Sequence, residues 1–522
     1  MEKKSDDLRP APIDRPVLGL SRRVWYLVGG CLGFMLLSRF VFPSTSSSLS
    51  GHYSTSRGLL TAVDYLNASS SEPAPFSFCP DFGPTDLVAQ KRGQVPLLKS
   101  RLHTGTGARI QRLIHKAMTG QPVTISVLGG SITACHGAGD DPVSPRCWPS
   151  RFFEWWNTVF PHPYNQLYNG AARLTDSAYF AYCSKHHMPD RADLVILEFD
   201  ASDPNDPLWI NHFELLVRSI LTRPEQPAVI LLGHFAPQVL YQNGYTGPEM
   251  LHDIVAQFYD VPHISMKGAV YNDYMTDPEG TRQSYYSDMV LASPAGHDLL
   301  SDLLISFLQS QICSGWATTM GHAFDVPYMG AGPASGVNPL LNVDADDLEA
   351  QGGGVAAKAR AMKVPPARLA NRPSDILTFR EVEPYCVIAN EIVNPIPPSH
   401  FFGNGWTTYK AEKGGQEKSY WWAEIGGSRM RVPIKTAAGD VAIYYLQHPD
   451  NTPSGRVACW VDDDFANRAV LNGMSKNVGQ PTATLTTINE GVEPGDHYVE
   501  CLMLGTEGAK LAPFKLMGVF AT

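Results

Sequence analysis

The sequence predicts an α/β protein: a three-layer parallel-sheet domain, then a C-terminal all-β sandwich, behind a single N-terminal transmembrane helix. Three observations carry that expectation. Between residues 101 and 316, short continuous apolar runs alternate with amphipathic helical patterns, as in a parallel sheet covered on both faces. Beyond residue 376 the pattern changes to short β-like runs separated by turn residues. Residues 24–42, VWYLVGGCLGFMLLSRFVF, are apolar apart from Ser38 and Arg39, about the length that spans a bilayer.

The N-terminus sets the expected compartment. Lys3, Lys4, Arg9, Arg15, Arg22 and Arg23 precede the apolar segment and outnumber the acids there. The positive-inside rule keeps such a tail cytosolic and sends the rest of the chain into the lumen as a type II protein. A cleaved signal peptide competes with this reading, but the run is long for one and no A-x-A site follows. Nine cysteines are present, and Cys31 lies in the apolar segment. The even number left suits disulfides in an oxidising compartment, with Cys135–Cys147 and Cys459–Cys501 as plausible pairs. Asn67-Ala68-Ser69 is the single N-x-S/T sequon without proline, making Asn67 the expected glycosylation site. The expected location is the Golgi membrane, as a single-pass type II protein with the part beyond residue 42 in the lumen. A net charge of −10 with no basic stripe argues against a nucleic-acid partner.

The expected organisation is a cytosolic tail over 1–23, the anchor over 24–42, and a Ser- and Pro-rich stem over 43–100. The α/β domain covers 101–316, with strands at 123–128, 193–199 and 228–232 and helices at 108–118, 210–221, 247–258 and 295–312. A Gly- and Ala-rich linker over 317–375 leads to the sandwich at 376–522. There, β-like runs fall at 419–424, 430–434, 441–446, 456–461 and 498–504.

Ser131 stands directly after the first of those α/β strands, in VLGGSIT. Small residues before it allow a sharp turn that exposes a hydroxyl at the carboxyl edge of the sheet, where such folds keep their active crevice. An ordinary strand-to-helix turn has the same look. Thr133 rather than glycine follows two residues later, which disfavours a G-x-S-x-G elbow.

The block GGSIT, followed by YNGAARLTDSAYF, LEFDASD and SDMVLASPAGHDLL, resembles the SGNH (GDSL-type) hydrolases, whose domain is a three-layer, flavodoxin-like α/β sheet. More specifically, the order of parts is similar to fungal capsule-associated membrane proteins. The resemblance implies a serine acyl-ester enzyme acting on a glycan, an O-acetyl esterase or O-acetyltransferase, with no bound cofactor or metal. It assigns Ser131 as nucleophile, and the backbone of Ser131 and Gly170 with the Ser202 side chain as the oxyanion hole. The D-x-x-H block supplies Asp288, but Leu291 stands where histidine is expected. His297, in the first turn of the following helix, is then the expected base, with His234 and His136 as alternatives.

The departures have physical weight. Without a base, a serine nucleophile retains only residual catalysis. Ser202 replaces an asparagine, and losing one oxyanion donor typically costs about 10²–10³ in rate. Asp200 stands in place of glycine, where its charge opposes an oxyanion, binds a sugar hydroxyl or faces solvent. A non-catalytic protein that binds or scaffolds polysaccharide is therefore the rival class. A type II glycosyltransferase fits the topology, but its D-x-D candidate, Asp344 and Asp346, lies in the linker. His186 and His187 lack zinc-ligand spacing. Trp421, Trp422 and Trp460 suit sandwich packing or stacking on sugar rings.

Overall fold

The computed structural model describes residues 51–53, 60–67, 75–319, 363–374, 383–389, 402–409, 419–476 and 481–522. The proposed anchor at 24–42 and linker residues 320–362 lie outside them. Among the described residues, no helix is long and apolar enough to cross a membrane.

The first domain is built on strands β1 (Gly51–Tyr53), β2 (Arg101–His103), β3 (Thr124–Gly129), β4 (Gln166–Asn169), β5 (Leu194–Glu198), β6 (Ala228–Gly233) and β7 (His263–Ser265). They lie in the order β1-β4-β3-β5-β6-β7-β2. The five inner strands are parallel, while β1 and β2 pair antiparallel at the two edges. The sheet is therefore mixed rather than wholly parallel. The edge strands β1 and β2 are three residues each, too short for a period to show.

The inner strands read as unbroken apolar runs because both faces are covered. Ile125, Val127, Leu194, Ile196, Ile230 and Leu232 enter one core. It is closed by α3 (Ala108–Met118), α4 (Trp148–Val159) and α11 (Pro294–Thr319). Leu128, Val195, Leu197, Val229 and Leu231 enter the other, under α5 (Ser177–Cys183), α6 (Ile210–Leu221) and α8 (Pro248–Tyr259). Trp148, Phe152, Phe153 and Trp156 of α4 are fully buried, each such side chain contributing about 1.5–3 kcal/mol.

The stem differs from its expectation. Residues 75–99 carry α1 (Leu87–Arg92) and α2 (Gln94–Lys99), and Phe76 and Phe78 join the first core. A disulfide from Cys79 to Cys313 ties this segment to α11. Residues 363–374 of the linker also pack down, since Arg218 on α6 donates to Pro365 O (2.7 Å) and Leu369 N–H donates to Glu214 Oε1 (2.7 Å).

The second domain is a sandwich of two sheets over a third core. One sheet contains β8 (Tyr385–Ile388), β10 (Trp406–Tyr409), β11 (Tyr420–Ile425), β13 (Val441–Pro449), β16 (Met474–Ser475), β17 (Thr482–Asn489) and β19 (Lys510–Ala521). The other contains β9 (Phe402–Asn404), β12 (Arg429–Thr436), β14 (Arg456–Val461), β15 (Ala469–Asn472) and β18 (Gly495–Met503). Cys459 and Cys501 lie opposite each other on β14 and β18 and are bridged, and Cys135 bridges Cys147. Two disulfides were not foreseen, Cys79–Cys313 and Cys183–Cys386, the second joining α5 to β8. Beside it, Tyr182 stacks on Phe520 at 5.3 Å, so the outer face of one sandwich sheet packs on the α/β domain.

Between β7 and α11 run α9 (Lys267–Thr276) and α10 (Pro278–Tyr285), and α7 (Pro237–Asn243) follows β6.

Candidate active site

Strand order reverses between β3 and β5, with β4 on one side of β3 and β5, β6 and β7 on the other. Loops leaving the carboxyl ends of adjacent strands diverge there and open a crevice. Ser131 leaves β3 at that point and Ser202 leaves β5. A β-carbon on Gly130 would collide with Ser202 Oγ, so the glycine is what lets the two loops meet. Ser131 is partly exposed, and its Oγ accepts from Leu174 N–H (3.1 Å).

The loop after Ser131 is firmly tethered. Thr133 Oγ1 donates to Glu198 Oε2 (2.9 Å), and Asn169 Nδ2 donates to Thr133 O (2.8 Å) and Pro142 O (3.0 Å). The Cys135–Cys147 bridge closes its base. Burial pushes the Glu198 carboxyl up to about 8; the Thr133 bond opposes that shift and the nearby Asp200 charge adds to it. Glu198 therefore holds the loop as a neutral acid at pH 7.

The candidate bases occupy three different settings. Ser293 caps α11, with Gly296 N–H donating to its Oγ (3.3 Å). His297, one turn in, is wholly buried behind the Cys135–Cys147 disulfide, with Nδ1 3.8 Å from Cys147 Sγ. That nitrogen accepts from Trp148 N–H (3.4 Å), and burial pushes the imidazole down to about 3. The structure does not bring Asp288 to it. Asp288 is exposed, and its Oδ1 accepts from Val290 N–H (2.7 Å) and Leu291 N–H (2.6 Å), capping its own turn. His234 follows β6 and is buried, with Nε2 2.8 Å from Val290 O and burial holding it down at about 4.

His136 is the candidate on the same loop as Ser131. Its N–H donates to Ser131 O (3.0 Å), and its Nδ1 lies 2.9 Å from Asp140 Oδ1. A carboxylate only accepts, so Nδ1 carries the hydrogen and Nε2 is bare, the tautomer a general base needs. Burial lowers the His136 pKa, the Asp140 bond opposes that, and the Arg173 charge adds to the lowering. Arg173 immediately precedes Leu174, whose N–H reaches Ser131 Oγ. The same loop meets the D-x-x-H segment, because a β-carbon on Gly137 would run into Ala292 O and touch Leu291 Cβ.

The oxyanion candidates divide. Ser202 sits against Gly130, next to Ser131. The Gly170 N–H donates to Val127 O (3.0 Å), continuing the β3–β4 ladder. A β-carbon there would collide with His187 O, so this glycine serves close packing. His187 is itself interior, bonded at 2.8 Å to Tyr179 Oη. Asn67 is exposed, as a glycan acceptor must be. Trp421 and Trp460 are buried and Trp422 is half-buried.

A cluster not anticipated from sequence lies beneath the crevice. His252 on α8 bridges Asp200 Oδ1 (2.6 Å) and Asp203 Oδ2 (2.9 Å), and His263 reaches Asp200 Oδ2 (3.2 Å) and Asp253 Oδ1 (3.2 Å). Burial disfavours charge on both rings, yet the aspartates outweigh it and raise each to about 9. The two imidazolium groups in turn hold the buried Asp200 carboxyl well below the usual carboxylate range. Asp200 is thus a compensated anion. Among the described residues, no group of three His, Cys, Asp or Glu side chains is arranged to hold a metal ion.

This two-domain architecture, an α/β domain followed by a β-sandwich, is shared with solved esterase structures. The chain is similar to a two-domain esterase (CEX) active on acetylated mannans, with a TM-score of 0.57 and 19% identity over 82% of this chain and 98% of that one. The structure of a two-domain esterase (CEX) active on acetylated mannans co-crystallised with mannopentaose gives a TM-score of 0.55 at the same identity and coverage. At that identity the likeness is one of fold. No protein-family model and no curated protein matches the sequence.

Proposed function

We propose that this chain is a carbohydrate-directed acyl-ester enzyme of the SGNH type, an O-acetyl esterase or O-acetyltransferase. The observation that carries the reading is Ser131 at the switch point of the sheet, with the His136–Asp140 pair on the same short loop. Ser131 Oγ attacks the acetyl carbonyl while His136 Nε2 takes its proton. The backbone N–H of Ser131 and the hydroxyl of Ser202 face the developing oxyanion, and His136 returns the proton to the departing sugar oxygen. Water or a second sugar hydroxyl then accepts the acetyl group. The fold shared with an esterase active on acetylated mannans supports a polysaccharide as substrate.

The wider setting belongs to the same proposal. Four disulfides suit an oxidising compartment. With the apolar, Arg-flanked segment at 24–42, they support a Golgi type II membrane protein. Its role there is capsule or cell-wall polysaccharide synthesis, as in fungal capsule-associated proteins.

A second reading, a non-catalytic polysaccharide-binding or scaffolding protein, is favoured by one observation. The D-x-x-H position holds Leu291, and His297 lies sealed behind a disulfide. Labelling with a fluorophosphonate probe separates the two. The enzyme reading requires labelling of the wild type and none of Ser131→Ala; equal signals from both establish the binding protein.

A further inference from the structure

A pocket opens beside the crevice at the carboxyl ends of β6 and β7, under the turn between α7 and α8. It is open to solvent, with about 300 Å³ of free space when its mouth is counted, and is walled by Asp200, His234, Tyr245, Glu249 and Lys267. His234 follows β6, which lies two strands from β3, so it stands roughly 10 Å across the sheet from the strand that carries Ser131.

Its chemistry is unusual for a strand end. Glu249 and Lys267 are both buried and form an ion pair with each other. Lys267 also donates to Tyr245 O (3.0 Å) and lies 4.4 Å over the Tyr245 ring. Asp200 has His252 and His263 as counter-charges. Every charge in the wall therefore has an opposite charge already, and the pocket offers no net attraction to an ionic group. His234 adds an unmet acceptor. Val290 O only accepts, so Nε2 carries the ring hydrogen, and the buried Nδ1 has no hydrogen-bond partner. A buried acceptor left this way is unfavourable, and such costs collect at ligand sites. Tyr245, 51% exposed, supplies an aromatic wall at the mouth.

We propose that this pocket is the sugar subsite of the crevice, holding one neutral pyranose ring of a polysaccharide. Asp200, His234 and the Glu249–Lys267 pair exchange hydrogen bonds with its hydroxyls, and Tyr245 covers its apolar face. The inference rests on the acyl-ester reading for its role, since a ring held here directs its ester toward Ser131. Its binding chemistry stands separately.

The test is calorimetric binding of mannopentaose and of xylopentaose to the full chain carrying Ser131→Ala, which needs no turnover. At least one of the two binds, and adding Tyr245→Ala or Glu249→Gln weakens that binding at least about tenfold (about 1.4 kcal/mol). Tyr245 is half exposed, so its variant keeps the parent melting temperature even if Glu249→Gln does not. Trp422→Ala in the sandwich leaves binding intact. Binding of neither probe, binding unchanged in Tyr245→Ala, or binding lost in Trp422→Ala instead overturns the subsite. Loss of fluorophosphonate labelling specificity at Ser131, with Tyr245-dependent binding retained, removes the enzyme reading and leaves the pocket standing.

Discussion

His136 Nδ1 lies 2.9 Å from Asp140 Oδ1, on the loop that starts at Ser131. In the proposed mechanism this pair takes the part of the D-x-x-H block, because Leu291 cannot take a proton. His136→Ala is expected to lower acetyl-ester turnover by about 10²–10⁴. Asp140 raises the His136 pKa against burial and Arg173, so Asp140→Asn moves the acidic limb of the kcat/KM profile to lower pH. An unaltered profile in Asp140→Asn removes Asp140 as the orienting group.

Ser202→Ala tests the oxyanion hole without disturbing the fold. Its hydroxyl borders Gly130, and its removal is expected to cut kcat by about 10²–10³ with KM little changed. Equal losses in kcat and melting temperature point to packing instead.

His297→Ala should behave as a core substitution. The ring fills space behind the Cys135–Cys147 bridge and accepts from Trp148 N–H. Its removal is expected to destabilise the protein by about 2–4 kcal/mol, seen in the denaturation midpoint, with turnover per folded molecule retained. Loss of turnover on the scale of Ser131→Ala in a protein that still folds would restore His297 as the base.

Much of the fold was legible because two signals were strong. The helices at Ala108–Met118 and Ile210–Leu221 and the strand at Arg456–Val461 stand where their patterns place them. β4 and β7 were missed because QLYN and HIS are short and half polar. The stem was misjudged because Ser and Pro content hid Phe76, Phe78 and Cys79, whose partners lie far along the chain. The placing of Ser131 and Ser202 at neighbouring strand ends was readable from local motifs. Asp140 was readable in principle, four residues beyond His136 in a glycine-rich loop. The bridge from His252 to Asp200 and Asp203 was not, since it spans about 50 residues and leaves no periodic trace.

Stability should peak near pH 6.5. His252 and His263, raised to about 9 from 6.5, contribute stability that is present below pH 6.5 and lost as pH rises through 9. Glu198, raised to about 8, acts in the same alkaline direction. His187 and His234, lowered to about 4, and His297, to about 3, stay neutral in the fold while their unfolded counterparts take up protons. They therefore remove stability as pH falls below 6.5. Melting temperature is expected to drop on both sides, by on the order of 5 °C at pH 9. A flat curve between pH 6.5 and 9 contradicts the charged cluster.

The most direct test is acetate release from chemically acetylated mannopentaose by the wild-type chain and by Ser131→Ala. The account predicts steady release by the wild type and a fall of at least about 10³ in the variant. If an acceptor sugar hydroxyl is required, transfer to unacetylated mannopentaose replaces release and shows the same dependence on Ser131. Neither release nor transfer by the wild type, or equal rates from both proteins, would contradict it.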